Sequence, residues 1–543
     1  MEREFGTISL GDKRRDARLI DSATQIADRP TASNPQRLNE NDLDGFYRLV
    51  HGPRAQPDII QQGHRERTRE RMFTTPNRIL NIHDTTELDY TGHTAIHDEL
   101  GPIGTGKQRG LLQHNSIAFD PEGKQILGLI HQQLVKRQER PPGETRTERA
   151  DRPIKESRLW LAGFCGVGRC PEGQRWIDVC DRGADFFEAM QESQQLGHEF
   201  LIRVVHDRRL KVTDEDTGQV VDEMQSLHAT MDTIEATTTK EIVVASQGGR
   251  PARTVKLEVG YRHVRLQPPL PNGFRRGLMA MDVTLIRVWE PGVIAARSEA
   301  DLARKAVDVS RKAVKAAEKK LLEIPGKKKR AAAEAQLVLL RAELAKAKAV
   351  VEEKNREVSR YLDWWLATSS PIESDADALQ SVSDYEWRWP VAEEYHKAEK
   401  SGLKIESQRF ESLPALMAAL AIIAVVAIRL LQLRYARDEQ PDAPASIVAT
   451  PEEIEMVVQA TQPKKGSKSR KAVASVLTMT VKQFVDGVAK LGGYLGRAGD
   501  GPPGWQSLWR GYQRLRDLLL GQALFREAHE VEVEVEPKSE PPD

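Results

Sequence analysis

Residues 176–207 read WIDVCDRGADFFEAMQESQQLGHEFLIRVVHD, and their pattern decides the fold class. The apolar run before Asp181 predicts a strand that ends on that aspartate. ADFFEAMQESQQLG has helical spacing and a glycine stop, and HEFLIRVVHD reverts to a strand. Upstream, RILNIHD is a second strand-like run, ending on Asp84. HNSIAFD, the turn PEGK and QILGLIHQQLV predict a hairpin, and a helix around Lys155–Leu161 leads back to WIDVCD. Strands alternating with helices predict an α/β fold, a mixed sheet covered on both faces.

The flanks differ from this centre. Residues 1–72 predict short helices, one from Asp12 to Ala27 and another over Asn41–Leu49. Residues 207–296 return to β patterning (KEIVVAS, RTVKLEV, MDVTLIRVW) and read as an inserted β region. Residues 297–360 are rich in Ala, Lys and Glu, and Ile324-Pro-Gly-Lys-Lys-Lys breaks them into an antiparallel helical hairpin. The main domain then spans 73–435. A Pro/Asp linker is expected over 436–470, a C-terminal helical domain over 471–530 and a disordered acidic tail over 531–543.

A chain of 543 residues is too long for one core and suggests about three domains. Net charge is zero, but residues 1–76 and 304–330 are basic while the tail is acidic, which suits a protein that meets a polyanion on one face. Cys165, Cys170 and Cys180 lack disulfide-framework or zinc spacing and read as thiols of a reducing cytoplasm. MEREFGTISLGDKRR carries no apolar signal segment. The run Leu413–Ile428 ends at Arg429 after 16 residues, short of the ~20 a membrane span needs, and predicts a buried helix. The expectation is a cytoplasmic protein with no membrane partner.

Asp84 in NIHDTTELDY and Asp181 in VCDRGADFF sit at or just after strand ends, where sites of open α/β sheets gather. Either could be only a helix cap, and Asp181 could do both jobs. A third carboxylate lies in YEWRWPVAEEYHKAEKSG, where helical spacing puts Glu393, Lys397 and Lys400 on one face, with Tyr385 and Arg388 upstream. The plain reading is an exposed Glu–Lys pair worth ~0.3 kcal/mol. Aromatic and cationic residues surround the carboxylates in all three segments, a mixture suited to phosphates beside metal ions. Three carboxylates are enough to hold two Mg²⁺ ions, which prefer oxygen ligands, and such a pair can drive phosphodiester hydrolysis.

These segments resemble the bacterial cut-and-paste DDE transposases of the insertion-sequence branch with a Tyr-Arg-Glu-Lys signature and hairpin chemistry. The likeness covers LGDKRRDARL, GFYRLV, IHDTTELDY, DELGPIG, GLIHQ, VCDRGADFF, FLIRV, RPAR, WWLATSSPIES, EEYHKAEKSG, IRLLQLR, VAKLGGYLGR and LWRGYQRL in that order. It implies an RNase H-like catalytic domain between an α-helical DNA-end-binding domain and an α-helical C-terminal domain that dimerises on two ends. Asp84, Asp181 and Glu393 would be catalytic and hold two Mg²⁺, with Mn²⁺ as a substitute. Tyr385, Arg388, Lys397 and Lys400 would grip phosphates of the non-transferred strand, and Arg203 would sit near the cleaved strand. Trp364 would stack on a flipped base, and Arg18 and Arg48 would read the end. The partners implied are double-stranded transposon ends and target DNA.

The chain departs from the family in two places. Four residues, not three, separate Arg388 from Glu393, so either Pro390 marks a bulge or Glu394 takes the role. The ungapped match of EEYHKAEK favours Glu393. The hairpin at 297–360 is foreign to the family; residues 304–330 hold eleven Lys/Arg against three acids, a DNA arm or a solvated face. The competing reading is a catalytically inactive DNA-binding inhibitor or relic.

Overall fold

A computed structural model describes every residue except 31, 77, 140, 142, 146–147, 149–155, 214–218, 245–251, 270–276, 324–326, 462–477, 498–499 and 536–543. Its contacts separate two units, Met1–Phe200 with Asp384–Asp543, and Leu201–Ser383.

In the first unit, β1 (Ile79–Asp89), β2 (Gly101–Ile103), β3 (Gln108–Asp120), β4 (Gln125–Val135) and β5 (Trp176–Cys180) form a mixed sheet. Strand β3 lies antiparallel between β1 and β4, while β5 runs parallel to β1. The order β4-β3-β1-β5, with helices on the sheet and at the termini, is compatible with an RNase H-like fold. All five residues of β5 are buried, as expected where both faces are covered. Helix α6 (Glu156–Val167), whose expected start at Lys155 lies outside the described residues, packs close to the sheet at Gly163. A Cβ there would come within 2.5 Å of His114 Nε2, so only glycine fits without movement.

A fully buried carboxylate, Asp178, ties this layer together. It accepts hydrogen bonds from Asn81 and His83 on β1, from Ser193 at 2.7 Å and from His198 at 2.9 Å. Ser193 lies on α7 (Phe187–Gln195) and His198 just before β6 (Glu199–Arg203). Burial alone would raise the Asp178 pKa, but His198 and His83 outweigh it and hold the group well below the usual carboxylate range. Strand β6 is half as long as HEFLIRVVHD suggested, because its chain leaves the extended path after Arg203.

The N-terminal helices α1 (Glu2–Phe5), α2 (Lys13–Asp28), α3 (Asn34–Arg37), α4 (Glu40–Val50) and α5 (Pro57–Thr74) belong to the same unit. Buried Glu4 pairs with His64 at 2.6 Å and Arg71 at 2.8 Å, pinning α1 to α5. Gln61 of α5 bridges Gln132 on β4 and the Ala421 carbonyl. Ala421 lies on α13 (Leu413–Glu439), the one helix among the described residues long and apolar enough to cross a bilayer. Its apolar surface runs round the whole helix because α5, β4, α2 and α4 pack against it, and 78% of its most apolar stretch is buried.

The C-terminal region differs from expectation. The 436–470 segment carries the end of α13 and a packed helix, α14 (Pro451–Thr461), rather than a bare linker. Helices α15 (Val481–Leu491) and α16 (Trp505–Val535) join it in one core with Leu433, Ile454, Val457, Phe484, Val488, Leu508 and Leu515. The helical spacing of Val473, Val476, Leu477, Phe484, Val488 and Leu491 predicts an apolar stripe for pairing with a second copy, but Phe484 and Val488 are covered within the chain. Val473, Val476 and Leu477 lie outside the described residues. Residues 531–535 continue α16 as helix, and the rest of the expected acidic tail is outside the described residues.

The second unit is built on β7 (Arg209–Thr213), β8 (Val220–Ser226), β9 (Thr238–Val244), β10 (Arg253–Leu266), β11 (Met281–Trp289) and β12 (Asp363–Thr368). Strand β10 pairs with β7, β9 and β11, and β12 pairs with β11 and with Leu201–Arg203 of β6. A short helix, α8 (Leu227–Asp232), follows β8. Between β11 and β12 stand α9 (Val293–Glu323) and α10 (Lys327–Val358). They pack along Ala300, Val307, Val314 and Leu337, and their register is fixed by Arg341–Glu318, Arg304–Asn355 and Lys354–Glu299 contacts.

Replacing Asp178 by Asn should cost about 3–5 kcal/mol, because it strips the charge partner from buried His198. The carboxylate's folded pKa is depressed, so its contribution is complete above about pH 4 and fades as pH falls below that. Chemical denaturation against pH should therefore show Asp178→Asn both less stable at pH 7 and less sensitive to acid. A variant as stable as the parent at pH 7 would show that Asp178 does not hold the layer.

Candidate active site

The parallel pairing of β1 with β5 ends at His83 opposite Cys180. One residue further on come Asp84 and Asp181, near enough for the Asp84 charge to raise the Asp181 pKa. Asp84 is not at a strand end, as the sequence suggested. Strand β1 continues to Asp89 because β3 pairs with it as far as Gly110. Asp181 does leave its strand, and its Oδ1 accepts from Gly183 N at 2.6 Å, capping the 3₁₀ turn Arg182–Ala184. Capping and a site role are therefore compatible in one residue, although the next α-helix starts only at Phe187.

The third carboxylate arrives from a π-helical turn, Trp389–Glu393, just after helix α11 (Asp375–Glu386). Pro390 has no N–H to give to the preceding turn, so the backbone there widens and takes up one extra residue. Short helix α12 (Glu394–Lys397) and a second π turn, Ala398–Gly402, follow. The fourth residue between Arg388 and Glu393 is accommodated in this way. It also separates Glu393 from Glu394. Glu393 lies 3.7 Å from Arg388, whereas Glu394 is engaged by Arg434, by Lys397 at 2.7 Å and by Trp505 Nε1 at 2.8 Å.

Arg388 is the hub of the site. Its guanidinium lies 3.3 Å from Asp84 Oδ1 and 3.7 Å from Glu393 Oε1. Burial works against its charge, but Asp84, Tyr385, Asp181 and Glu393 together raise its pKa. The other Asp84 oxygen lies 3.3 Å from His396 Nε2, and the His396 Nδ1 is 3.7 Å from Glu399. Burial would lower the His396 pKa, but these two carboxylates lift it to about 9, so the ring is an imidazolium at neutral pH. Burial likewise pushes Asp84 up, and His396 and Arg388 together bring it below its ordinary value. Asp181 is raised, first by burial and then by the Asp84 charge.

His396 and Glu399 carried no assigned role in the sequence, although both stand in the quoted EEYHKAEK stretch. Their signal is spacing: residues three apart on a helix face one another. Buried Glu399 accepts from Gln113 Nε2 on β3 at 2.6 Å, linking the imidazolium to the sheet.

The remaining expected site residues fall in three places. Lys397 pairs with Glu394 and lies 5.5 Å over the exposed ring of Trp389. Lys400 donates to the Glu87 carbonyl at 2.5 Å, and Tyr385 is buried. Arg203 and Trp364 belong to the second unit. There Arg203 donates to the Asp363 carbonyl at 3.3 Å, and Trp364 pairs with Val288 across β11 and β12. Its neighbour Trp365 points to the other face, under the Arg297 guanidinium. Arg18 joins α2 to α4 through an ion pair with Asp42, and Arg48 is exposed on α4.

Residues 1–55 match a family described as transposase DNA-binding. The matched segment comprises α1 to α4 and contains both Arg18 and Arg48. It supports a transposase as the class of protein and DNA as its partner. The sheet, the carboxylates and the second unit lie beyond the matched residues.

The ties of Glu394 make a structural prediction. Glu394→Ala should cost roughly 1–3 kcal/mol, because it leaves Arg434 and Trp505 Nε1 without their acceptor. Glu393→Ala, at a side chain 34% exposed, should leave thermal melting almost unchanged. Equal melting losses in the two variants would contradict this division of roles.

Proposed function

We propose that the protein is a cut-and-paste DDE transposase, in which Asp84, Asp181 and Glu393 carry out metal-dependent cleavage, hairpin formation and strand transfer at transposon ends. The observation that supports this best is the convergence of three carboxylates, from β1, from the end of β5 and from the π turn, on the one guanidinium of Arg388.

Among the described residues, no three His, Cys, Asp or Glu groups stand close enough to hold a metal ion as they are. The donor set nevertheless fits Mg²⁺, being three hard carboxylates with a cation already drawn among them. Asp84, Asp181 and Glu393 would hold two Mg²⁺, or Mn²⁺ in their place. Bound ions would activate the attacking oxygen and neutralise the leaving one. Arg388, Tyr385, Lys397 and Lys400 bind and orient the terminal phosphates, and a phosphate competes with the carboxylates for Arg388 by the same charge-assisted bonds. His396 keeps Asp84 aimed through its second oxygen. Arg203 and Trp364 are assigned to the cleaved strand and a flipped base.

Asp84→Ala, Asp181→Ala or Glu393→Ala should each abolish Mg²⁺-dependent nicking of a transposon-end duplex while gel-shift affinity stays within a few-fold, since basic contacts supply most of that affinity. Nicking that survives Glu393→Ala and is lost in Glu394→Ala, with both proteins folded, would reassign the third ligand. A parent protein that binds ends but nicks nothing in Mg²⁺ or Mn²⁺ would make it a binding relic.

Arg48 is the cleaner probe of end recognition, because Arg18 also holds α2 against α4. Arg48→Ala should weaken binding to the cognate end by about tenfold, since a good base-edge contact is worth ~1–3 kcal/mol, without changing melting temperature. An equal loss on scrambled duplex would reduce Arg48 to a phosphate contact.

A further inference from the structure

The helical hairpin of the second unit carries its charge unevenly. From Arg311 to Lys348, the half around the turn, the sequence holds twelve basic residues against four acidic ones. The half nearest the sheet, Val293–Ser310 with Ala349–Val358, holds five against six.

Ion pairs occur in both halves, with Arg311–Asp308 and Arg330–Glu334 among those toward the turn. Near the sheet Arg304 pairs with Asp301, and Lys354 with Glu299 and Glu357. Around the turn Arg341 pairs with Glu318, but Lys312, Lys315, Lys319, Lys346 and Lys348 are exposed and have no carboxylate within 4 Å among the described residues. Lys305, Lys312, Lys315 and Lys319 recur at seven, three and four residues, so they line one face of α9. They lie away from the seam of Ala300, Val307 and Val314.

An ordinary solvated helix face mixes signs at three and four residues, because like charges there destabilise the helix. Lys312 to Lys315 and Lys315 to Lys319 are both such spacings, and the acids spaced to answer them, Asp308 and Glu318, pair with Arg311 and Arg341 instead. A polyanion laid along the face reverses that repulsion. The stripe spans ~21 Å at 1.5 Å per residue, a length over which a duplex presents on the order of a dozen phosphates. Lysine ammonium groups on a straight helix fit phosphates as point charges and read no base edges.

We propose that the turn half of this hairpin is a sequence-independent docking surface for duplex DNA, separate from end recognition by residues 1–55. It rests on the DNA-binding part of the proposed function and not on catalysis. The test is the salt dependence of binding by the full chain to a duplex without the end sequence. Each phosphate contact adds about 0.9 to the slope of log affinity against log salt. Lys312→Gln, Lys315→Gln, Lys319→Gln and Lys346→Gln combined should lower the slope by about 3, with helix content by circular dichroism unchanged. The same four positions as Arg should restore it. An unchanged slope in the Gln variant, with end-duplex binding by the parent intact, overturns this surface alone. A parent that binds neither duplex overturns the DNA-binding reading with it.

Discussion

One buried negative charge organises the part of the sheet on which the site depends. Asp178 has no access to water, and an isolated carboxylate there would be heavily penalised. Four donors from β1, α7 and the segment before β6 remove that penalty. Each of those elements is thereby fixed relative to β5. The register of β1 on β5 follows, and with it the juxtaposition of Asp84 and Asp181 one residue beyond the last parallel pair. A slip of one residue would turn Asn81 and His83 away from Asp178 and carry Asp84 to the opposite face. The buried charge thus acts as a registry device, set three residues before Asp181, which follows the same strand.

The site above it has the opposite problem, an excess of negative charge in a confined space. The Asp84 charge raises the pKa of Asp181, and burial works to raise both. Arg388 and His396 offset this from two sides, and because both come from the segment after α11 they couple that segment to the sheet. The π turn is what lets Arg388 and Glu393 face the same carboxylates. Its hydrogen-bonding pattern is weaker than that of an α-helix, so the segment needs outside support. Glu394 supplies it by binding Arg434 of α13 and Trp505 of α16. Adjacent glutamates on one turn are therefore divided between the site and the scaffold.

How much of this was legible follows from the range of each interaction. The strand–helix–strand pattern of 176–203 and the two aspartates were readable because alternation and turn chemistry are local. The run of β1 past Asp84 to Asp89 was not, since it comes from pairing with β3, whose partner residues lie far along the chain. The fourth residue between Arg388 and Glu393 left two alternatives in the sequence, because a period of 3.6 residues per turn does not describe the wider turn Trp389–Glu393. Phe484 and Val488 looked like an unpartnered face because a helical period says that a stripe is buried, not by what; here α14 and α16 cover them.

The same limit bears on assembly. Two transposon ends need two active sites, so the proposed chemistry calls for a second copy, yet the expected dimer stripe is already occupied. Among the described residues, the large apolar side chains that α16 leaves exposed are Leu518, Leu520, Leu524 and Phe525. They lie beyond Tyr512 and Leu515, the α16 residues buried in the shared core, and around Leu519, which packs partly buried against it. A helix that buries its first half and presents apolar residues over its second carries unfavourable exposed surface at ~25 cal/mol per Å². A pairing of two copies through this region would find exposed apolar surface at Leu518, Leu520, Leu524 and Phe525 rather than at Phe484 and Val488, and it would leave the support of Glu394 by Trp505 undisturbed.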